Sequence, residues 1–334
     1  MEALPETLDR HLRSTPGLFV VLNPKAGRVR RGMASATARA TLQHTPRLHM
    51  TASLEELDEL FTGLSVKRSQ TVCFFGGDGS IARGLSAMIN TLGEDAPLPT
   101  VLPVAAGTIN VMSEYLGLAE PAAETLARLR EPGRLVRRTL PSIKIVVEGQ
   151  APLYGFMFGW GVVYRVLEAY YSRRPHPSFA DATVVMAQTF AQSLHPRATE
   201  LPLFKTCSLG LEIDGEALGS AQPALHSLIV GVLSRSTMGL RALPPAAVEG
   251  ARFHISGNGM KPAVVFRNSP SLLFGRGDQR ELLGKHPLVS QANLSELRLE
   301  LREGYTLDGE MIPLDGPRAC TITPGPSIDF WAAP

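Results

Sequence analysis

The chain has 334 residues, of which 44% are apolar and 19% carry a charge, and its formal net charge is +2. This length suits two domains better than one and leaves enough apolar residues for a core in each. The low net charge argues against nucleic acid as a partner, because nucleic-acid-binding proteins gather basic residues on one surface. No apolar run approaches the roughly 20 residues that cross a bilayer, so we expect no transmembrane segment.

The cysteines and the N-terminal residues favour a cytoplasmic protein. Cys73, Cys207 and Cys320 are odd in number and far apart. They fit neither a disulfide framework nor a paired metal site, so a reducing compartment is expected. The N-terminal stretch contains Glu2, Glu6 and Asp9 and lacks the apolar centre of a signal peptide.

Short apolar runs alternate with helix-prone segments in the first 140 residues. We predict strands at 17–24, 47–50, 71–76 and 99–106, and helices over 33–43, from Ser53 onward, and over 81–93, 111–118 and 121–133. Ser53 has the character of a helix N-cap, and Glu56 three residues later completes a capping box. This alternation predicts a parallel sheet with helices on both faces.

The pattern changes after residue 140, where alternating, β-rich runs dominate. Predicted strands lie at 138–149, 205–218, 226–233, 251–257, 262–267, 294–303 and 319–324, and one helix interrupts them over 178–194. Asp214-Gly215 and Asp308-Gly309 are each flanked by such runs and predict hairpin turns. We therefore expect a second domain built as an antiparallel sandwich or barrel-like sheet.

Three loops in the first third of the chain combine a strand end, small residues and a helix start. They are Asn-Pro-Lys-Ala-Gly at 23–27, Gly-Gly-Asp-Gly-Ser at 76–80 and Ala-Ala-Gly-Thr-Ile-Asn at 105–110. Backbone N–H groups at a helix N-terminus attract anions, and the strand ends of a parallel sheet gather at one edge. Three such loops together predict a nucleotide site.

The loops match neither common nucleotide fingerprint, the GxxxxGK P-loop or the dinucleotide GxGxxG. Together with Leu-Asp-Gly-Glu at 307–310, they resemble the diacylglycerol kinase catalytic-domain superfamily, which includes bacterial diacylglycerol-type lipid kinases, sphingosine kinases and ceramide kinases. The matching motifs occur in the family's order and span residues 23 to 310.

The resemblance implies two domains with ATP in the cleft between them. The first, residues 1–140 with 320–334, is expected to be an α/β domain like those of NAD kinases and phosphofructokinases. The second, residues 141–319, is expected to be an all-β sandwich that receives the lipid. The last strand of the chain would return to the first domain.

The resemblance also implies roles for individual residues. The expected nucleotide-binding residues are Asn23, Lys25, Thr51, Gly76, Gly77, Gly79, Ser80, Gly107, Thr108 and Asn110. Asp78, Asp308 and Glu310 are the expected catalytic acids, and Asp78 is also the expected contact to Mg²⁺ bound with ATP. A side chain at Gly77 or Gly79 is expected to meet phosphate or to strain the backbone. Replacing Gly77 or Asp78 should abolish transfer with little change in thermal stability.

Departures from the family pattern leave the acceptor lipid open. Ala82-Arg83 stands where Asn-Glu is common, and Val111 stands where many diacylglycerol kinases have Asp. The glycine-rich stretch 156–166 lacks an acid that commonly follows its second glycine. These differences weaken a diacylglycerol assignment and leave room for ceramide or a sphingoid base.

Several conspicuous residues also have structural interpretations. We interpret Asp214-Gly215-Glu216 as a hairpin turn rather than a second catalytic triplet. The basic residues Arg28, Arg30 and Arg31 fit a solvated face or an anionic-lipid contact. A cluster of aromatic residues fits a core position or, in part, a lipid-facing slot; it comprises Phe156, Phe158, Trp160, Tyr164, Tyr170 and Tyr171.

The sequence thus predicts an ATP- and Mg²⁺-dependent kinase that phosphorylates the primary hydroxyl of a membrane lipid, of the ceramide, sphingoid or diacylglycerol class. The alternatives are a soluble-metabolite kinase of the NAD-kinase type and a lipid-binding protein without turnover. We expect a cytoplasmic protein that visits the inner membrane face, with no nucleic-acid partner. A monomer and a homodimer both stay open.

Overall fold

The computed structural model describes residues 17–24, 47–51, 53–63, 70–106, 110–129, 131, 133–174, 179–218, 224–233, 252–267 and 288–334. The chain divides into two compact units. Unit 1 comprises Met1–Leu140 and Pro326–Pro334, and unit 2 comprises Pro141–Gly325. The predicted helix over 33–43 lies outside the described residues.

Unit 1 is built on a parallel sheet with the strand order β2-β1-β3-β4-β16. Its strands are β1 (Leu18–Leu22), β2 (Leu48–Met50), β3 (Thr71–Gly76), β4 (Thr100–Ala105) and the end of β16 (Arg318–Ala332). All six residues of β4 are buried. Such continuous apolar runs are typical of parallel strands covered on both faces, so the strand predictions here are confirmed.

Four helices are described in unit 1: α1 (Leu54–Gly63), α2 (Asp78–Leu92), α3 (Val111–Tyr115) and α4 (Ala122–Arg128). The predicted cap of α1 is confirmed, since the N–H of Glu56 donates to Ser53 Oγ at 3.2 Å. Helix α2 buries Ile81, Leu85 and Met88. A Cβ at Gly84 would collide with the ring of Phe74, so this glycine lets α2 lie close to β3.

Unit 2 contains two groups of antiparallel strands. One is a six-stranded sheet of order β12-β11-β10-β7-β14-β15. Its strands are β7 (Met157–Gly161), β10 (Ser227–Gly231), β11 (Phe253–Asn258), β12 (Leu288–Leu294), β14 (Tyr305–Leu307) and β15 (Glu310–Ile312). The other joins β16 to β5 (Val136–Val147), β6 (Leu153–Gly155), β8 (Glu212–Ile213), β9 (Glu216–Ala217) and β13 (Leu297–Leu301).

Unit 2 also has three described helices: α5 (Val162–Ser172), α6 (Phe179–Ser193) and α7 (Pro262–Arg267). Helix α6 confirms the interruption predicted over 178–194, and α5 was not predicted. The strand predicted at 262–267 is wrong, because this segment is α7. Pro262 occupies the first turn, where its missing N–H costs nothing, and the Lys261 carbonyl accepts from Val264 N at 2.8 Å.

Both predicted Asp-Gly turns are confirmed. Asp214 and Gly215 connect β8 and β9, and Asp308 and Gly309 connect β14 and β15. All four residues have positive φ, at 49°, 84°, 50° and 80° in that order, as a type I′ hairpin turn requires. The predicted fold class, an α/β domain followed by an antiparallel β domain, is confirmed with helices added to the second. The predicted nucleotide cleft stays a prediction.

Candidate functional site

The three loops predicted from the sequence begin side by side at one edge of the parallel sheet. Leu22 of β1 pairs with Phe75 of β3, and Gly76 pairs with Ala105 of β4. Beyond the last pairs, the N–H of Asn23 donates to the Phe75 carbonyl at 3.1 Å. The N–H of Ala106 likewise donates to the Gly76 carbonyl at 3.0 Å. The sheet itself therefore brings the loop starts together.

A side-chain hydrogen bond joins the first loop to the second. The Asn23 amide, Nδ2, donates to Ser80 Oγ at 2.8 Å. Ser80 lies in the first turn of α2, and a Cβ at Gly76 would collide with its side chain. Gly76 is therefore required for this close approach of the strand end and the helix start.

Asp78 joins the second loop to the third. Its carboxylate accepts two backbone hydrogen bonds from the start of α3, from Val111 N to Oδ2 at 2.8 Å and from Met112 N to Oδ1 at 2.9 Å. The first N–H groups of a helix have no intrahelical partner, so Asp78 caps α3 from a distant loop. Its side chain is 7% exposed. The carboxylate in the glycine loop thus holds the start of the helix that follows the third loop.

Burial raises the pKa of the Asp78 carboxyl to about 6. The N–H donors of Met112 and Val111 pull this pKa down, and the nearby Glu114 carboxylate pushes it up, but desolvation is the largest effect. Withdrawal from water penalises the charged form more than two hydrogen bonds stabilise it. Asp78 therefore takes up its proton at a higher pH in the folded chain than in the unfolded chain.

The raised pKa predicts how stability changes with pH. A carboxyl whose folded pKa exceeds its unfolded value of about 3.9 contributes stability at low pH and loses it as pH rises through about 6. Asn at this position cannot ionise. Between about pH 4.5 and pH 7.5, we expect the wild type to lose about 2 kcal/mol of unfolding free energy relative to Asp78→Asn.

Chemical denaturation of both proteins at the two pH values measures this difference. An unchanged difference, or one of opposite sign, would mean that the two N–H donors outweigh burial and that the Asp78 pKa is not raised.

The remaining predicted residues of the first unit fall into two groups. Thr51, directly after β2, is buried, and its N–H donates to the Leu22 carbonyl at 3.1 Å. Asn110, directly before α3, is buried, and its carbonyl accepts from Glu114 N at 3.0 Å. Thr51 follows β2 and Asn110 comes after β4, so both lie beyond strands of the same parallel sheet. Lys25, Gly107 and Thr108 lie outside the described residues, as do Arg28, Arg30 and Arg31.

The expectation of backbone strain at Gly77 and Gly79 is wrong. Gly77 has φ −92°, and Gly79 lies within the first turn of α2. Neither has the positive φ that favours glycine. The other expected effect, that a side chain at Gly77 or Gly79 would collide with bound phosphate, stays a prediction.

Asp308 is half-buried, and its carboxylate accepts hydrogen bonds from the backbone at the start of β7. Oδ1 accepts from Met157 N at 2.8 Å, and both carboxylate oxygens lie 3.1 Å from Phe156 N. Asp214 is held in the same way, because its Oδ1 accepts from Ser295 N at 2.9 Å and from Glu296 N at 2.8 Å. The hydrogen bonds of the aspartate therefore do not distinguish the predicted catalytic triplet, Asp308-Gly309-Glu310, from the turn Asp214-Gly215-Glu216. Glu310 is half-buried at the start of β15.

Magnesium fits this set of residues only as a companion of ATP. Among the described residues, no group of three or more His, Cys, Asp or Glu side chains is arranged to hold a metal ion. Mg²⁺ commonly binds through one or two carboxylates together with substrate phosphates. Asp78 in unit 1 and Asp308 and Glu310 in unit 2 are each compatible with such a contact.

The structure also locates the aromatic cluster and two further arginines, Arg173 and Arg174, that are candidates for membrane contact. Of the aromatic cluster, Tyr171 is exposed and the other five residues are buried, so the core interpretation holds for most of it. Arg173 and Arg174 both pair with the buried Asp181, at 3.3 Å and 2.9 Å. No described helix is both long enough and apolar enough to cross a membrane.

Comparison with known proteins gives a family match within the first unit. Residues 17–136 match the family described as Diacylglycerol kinase catalytic domain. This segment includes every predicted site residue except Asp308 and Glu310. No curated protein sequence matches the chain.

Solved structures from Bacillus anthracis strain Sterne share the fold. One is described as a diacylglycerol kinase; it is 14% identical with a TM-score of 0.58, over 95% of this chain and 97% of that one. A second, assigned provisionally to the same class, is 16% identical with a TM-score of 0.61 over the same shares of the two chains. At these identities the likeness establishes the fold of nearly the whole chain.

Proposed function

Because residues 17–136 match the family described as Diacylglycerol kinase catalytic domain, we propose that the chain is an ATP-dependent lipid kinase. It transfers the γ-phosphoryl group to the primary hydroxyl of a membrane lipid of the ceramide, sphingoid or diacylglycerol class. In this proposal unit 1 binds the nucleotide and unit 2 receives the lipid.

The observation that carries the proposal is the linked set of three loops at one sheet edge. The Asn23–Ser80 bond and the Asp78 cap of α3 tie each loop to the next. The N-terminus of the 15-residue helix α2 opens at the same edge, and its dipole and N–H groups favour phosphate. Phosphoryl transfer depends mainly on positioning and charge stabilisation, which such an edge can provide.

The residues have distinct roles in this proposal. Asn23, Lys25, Thr51, Gly107, Thr108 and Asn110 line the nucleotide with the glycine loop. Asp78 caps the helix that follows the third loop and is the proposed carboxylate contact to Mg²⁺ bound with ATP. Asp308 takes the proton of the lipid hydroxyl, and Glu310 assists metal or nucleotide binding. Magnesium, when bound with ATP, neutralises charge on the phosphates.

The departures from the family pattern bear on the acceptor. Ala82 is buried within α2, so a polar residue there would not reach a lipid without rearrangement. Val111 uses its backbone N–H to hold Asp78, and that contact does not depend on its side chain. Ala82 and Val111 are therefore compatible with the linked loops at the edge of the parallel sheet. We propose that these two departures alter the preference for the acceptor lipid.

An acceptor panel tests the proposal against its two rivals. Purified protein receives ATP labelled in the γ-phosphate together with diacylglycerol, monoacylglycerol, ceramide, sphingosine or NAD, and the products are separated by chromatography. We expect label in a lipid. Label in NAD alone would favour a soluble-metabolite kinase, and no transfer to any acceptor would favour a lipid-binding protein without turnover.

Peripheral membrane attachment follows from the proposed acceptor. Arg28, Arg30, Arg31, Arg173 and Arg174 are the candidate cationic contacts, each contributing on the order of 1 kcal/mol near an anionic surface. Co-sedimentation with vesicles should rise with anionic lipid and fall with added salt. Binding that is indifferent to both would remove the electrostatic part of the proposal. We propose that the membrane contacted is the inner membrane face. Both a monomer and a homodimer are compatible with this attachment.

A further inference from the structure

Helix α6 has a mostly polar buried stripe, and it exposes large apolar side chains beside exposed Thr183, Gln188 and Gln192. Four residues spaced by four face inward and are buried: Asp181, Val185, Thr189 and Ser193. Three of these four are polar. Met186 and Phe190, which flank this buried stripe, are 53% and 48% exposed, and Leu194, directly after the last residue of α6, is 57% exposed. A surface helix ordinarily has the opposite arrangement.

The outward face of α6 also lacks charge. The helix has the sequence FADATVVMAQTFAQS, in which Asp181 is the single ionisable residue, and Asp181 is buried. Its carboxylate is paired with Arg173 and Arg174. A contiguous exposed apolar surface without charge marks an interaction site rather than a solvated face.

Basic residues outnumber acidic ones in the segment that contains α6. Between residues 172 and 205 the chain has four Lys or Arg, namely Arg173, Arg174, Arg197 and Lys205, and two acids, Asp181 and Glu200. Helix α7 lies against α6 through a ring contact of Phe190 with Phe266 at 5.4 Å. Exposed Lys261 and Arg267 stand at either end of α7, so the cationic margin continues there.

From this combination we propose that the exposed apolar surface formed by Met186 and Phe190 of α6 and by Leu194 docks into the interface of an anionic lipid bilayer. An apolar helix face with a basic margin inserts among the acyl chains while its cations meet the headgroups. Val184 and Tyr171, both exposed, widen the apolar surface. The proposal rests on the proposed function in one respect, because a lipid acceptor places the enzyme at a bilayer.

The test removes apolar surface without changing charge. The variant Met186→Gln with Leu194→Gln is compared with a matched control, Val136→Gln with Val146→Gln, which replaces two exposed valines of β5. Binding is measured by co-sedimentation with vesicles of equimolar phosphatidylcholine and phosphatidylglycerol. We expect the α6 variant to lose about tenfold or more in vesicle partitioning, since binding scales with the apolar area inserted. The control should partition as the wild type does.

A second measurement separates docking from catalysis. Turnover with a short-chain acceptor dispersed as monomers should be the same for the wild type and the α6 variant, and the thermal unfolding midpoint confirms folding. Equal vesicle partitioning of the wild type and the α6 variant would overturn the proposal. So would a change from dimer to monomer in sedimentation velocity with no loss of vesicle binding, because the face would then join two copies of the chain.

The same measurements distinguish the two proposals. A wild type that phosphorylates the dispersed acceptor but never binds vesicles removes the docking proposal and leaves the kinase. A wild type that binds vesicles through α6 but phosphorylates no acceptor leaves the docking surface and removes the kinase.

Discussion

Replacing Gly77 with Asp is expected to abolish phosphoryl transfer while the protein stays folded. Gly77 is the N-cap residue of α2, with φ −92° and no side-chain cap. Asp is among the most favourable N-cap residues, and Gly is close behind it, so the helix itself should tolerate the change. The added carboxylate would stand at the helix N-terminus, where the proposal places phosphate, and would repel it.

A matched control is Gly63→Asp, which places the same side chain in the same unit at the end of α1. A Cβ at Gly63 would meet nothing within 4 Å. Transfer is measured with saturating lipid over a range of ATP concentrations, and folding by thermal unfolding. Full activity of folded Gly77→Asp would remove this loop from the nucleotide site.

Asp78→Ala should also abolish transfer, but the structure changes the expected stability. The sequence-based expectation was an almost unchanged unfolding midpoint. Loss of the carboxylate removes the cap of α3, and loss of a helix cap costs about 1–2 kcal/mol. The unfolding midpoint should therefore fall. Gly77→Asp is the cleaner test of phosphate binding, because it leaves the α3 cap in place.

Asp308→Asn is expected to lower turnover by about 10² to 10⁴, the usual contribution of a general base. A lipid alcohol is a poor nucleophile and needs its proton removed as the bond to phosphorus forms. Asn is nearly isosteric, and its amide oxygen can still accept from Met157 N. ATP affinity should therefore change little. Glu310→Gln should instead weaken metal or nucleotide binding.

Asp214→Asn is the control for structural damage. Asp214 and Asp308 occupy the same position in their turns, have nearly equal φ and each accept two backbone N–H groups. The two Asn variants should lose similar stability, so any excess loss of turnover in Asp308→Asn reports on chemistry. Normal turnover of Asp308→Asn together with loss of turnover in Asp214→Asn would assign the general base to Asp214-Gly215-Glu216 instead.

The parallel sheet and its loops could be predicted because their signals are local. Strands β3 and β4 are uninterrupted apolar runs, each followed at once by small residues, and neither pattern depends on distant contacts. The strand prediction for 262–267 was wrong because it also relied on local signals alone. Its β-branched residues favour a strand in isolation, whereas contact of Phe266 with Phe190 favours a helix against α6.

The contacts that organise the site could not be predicted from the sequence. Asp78 accepts hydrogen bonds from Val111 and Met112, which are 33 and 34 residues away in the chain. Its partners are backbone N–H groups, and residue type does not indicate which backbone group a carboxylate will contact. Asp308 reaches Phe156 and Met157 across more than 150 residues in the same way. The sequence could nominate both carboxylates, but only the fold shows that each holds a backbone segment in place.

The exposed apolar residues of α6 could be interpreted only with the structure. The segment 178–194 predicted a helix, and its lack of charge fits a buried helix as well as a docking helix. Exposure of Met186 and Leu194 decides between them.

The central claim is tested most directly by transfer of radiolabel from the γ-phosphate of ATP into lipid micelles by the wild type, Gly77→Asp and Gly63→Asp side by side. The account predicts a magnesium-dependent product that extracts with the lipid and migrates as a phosphate monoester. It should form with the wild type and with Gly63→Asp and be lost with Gly77→Asp. Label that stays in ATP, inorganic phosphate or a water-soluble nucleotide with all three proteins would contradict it.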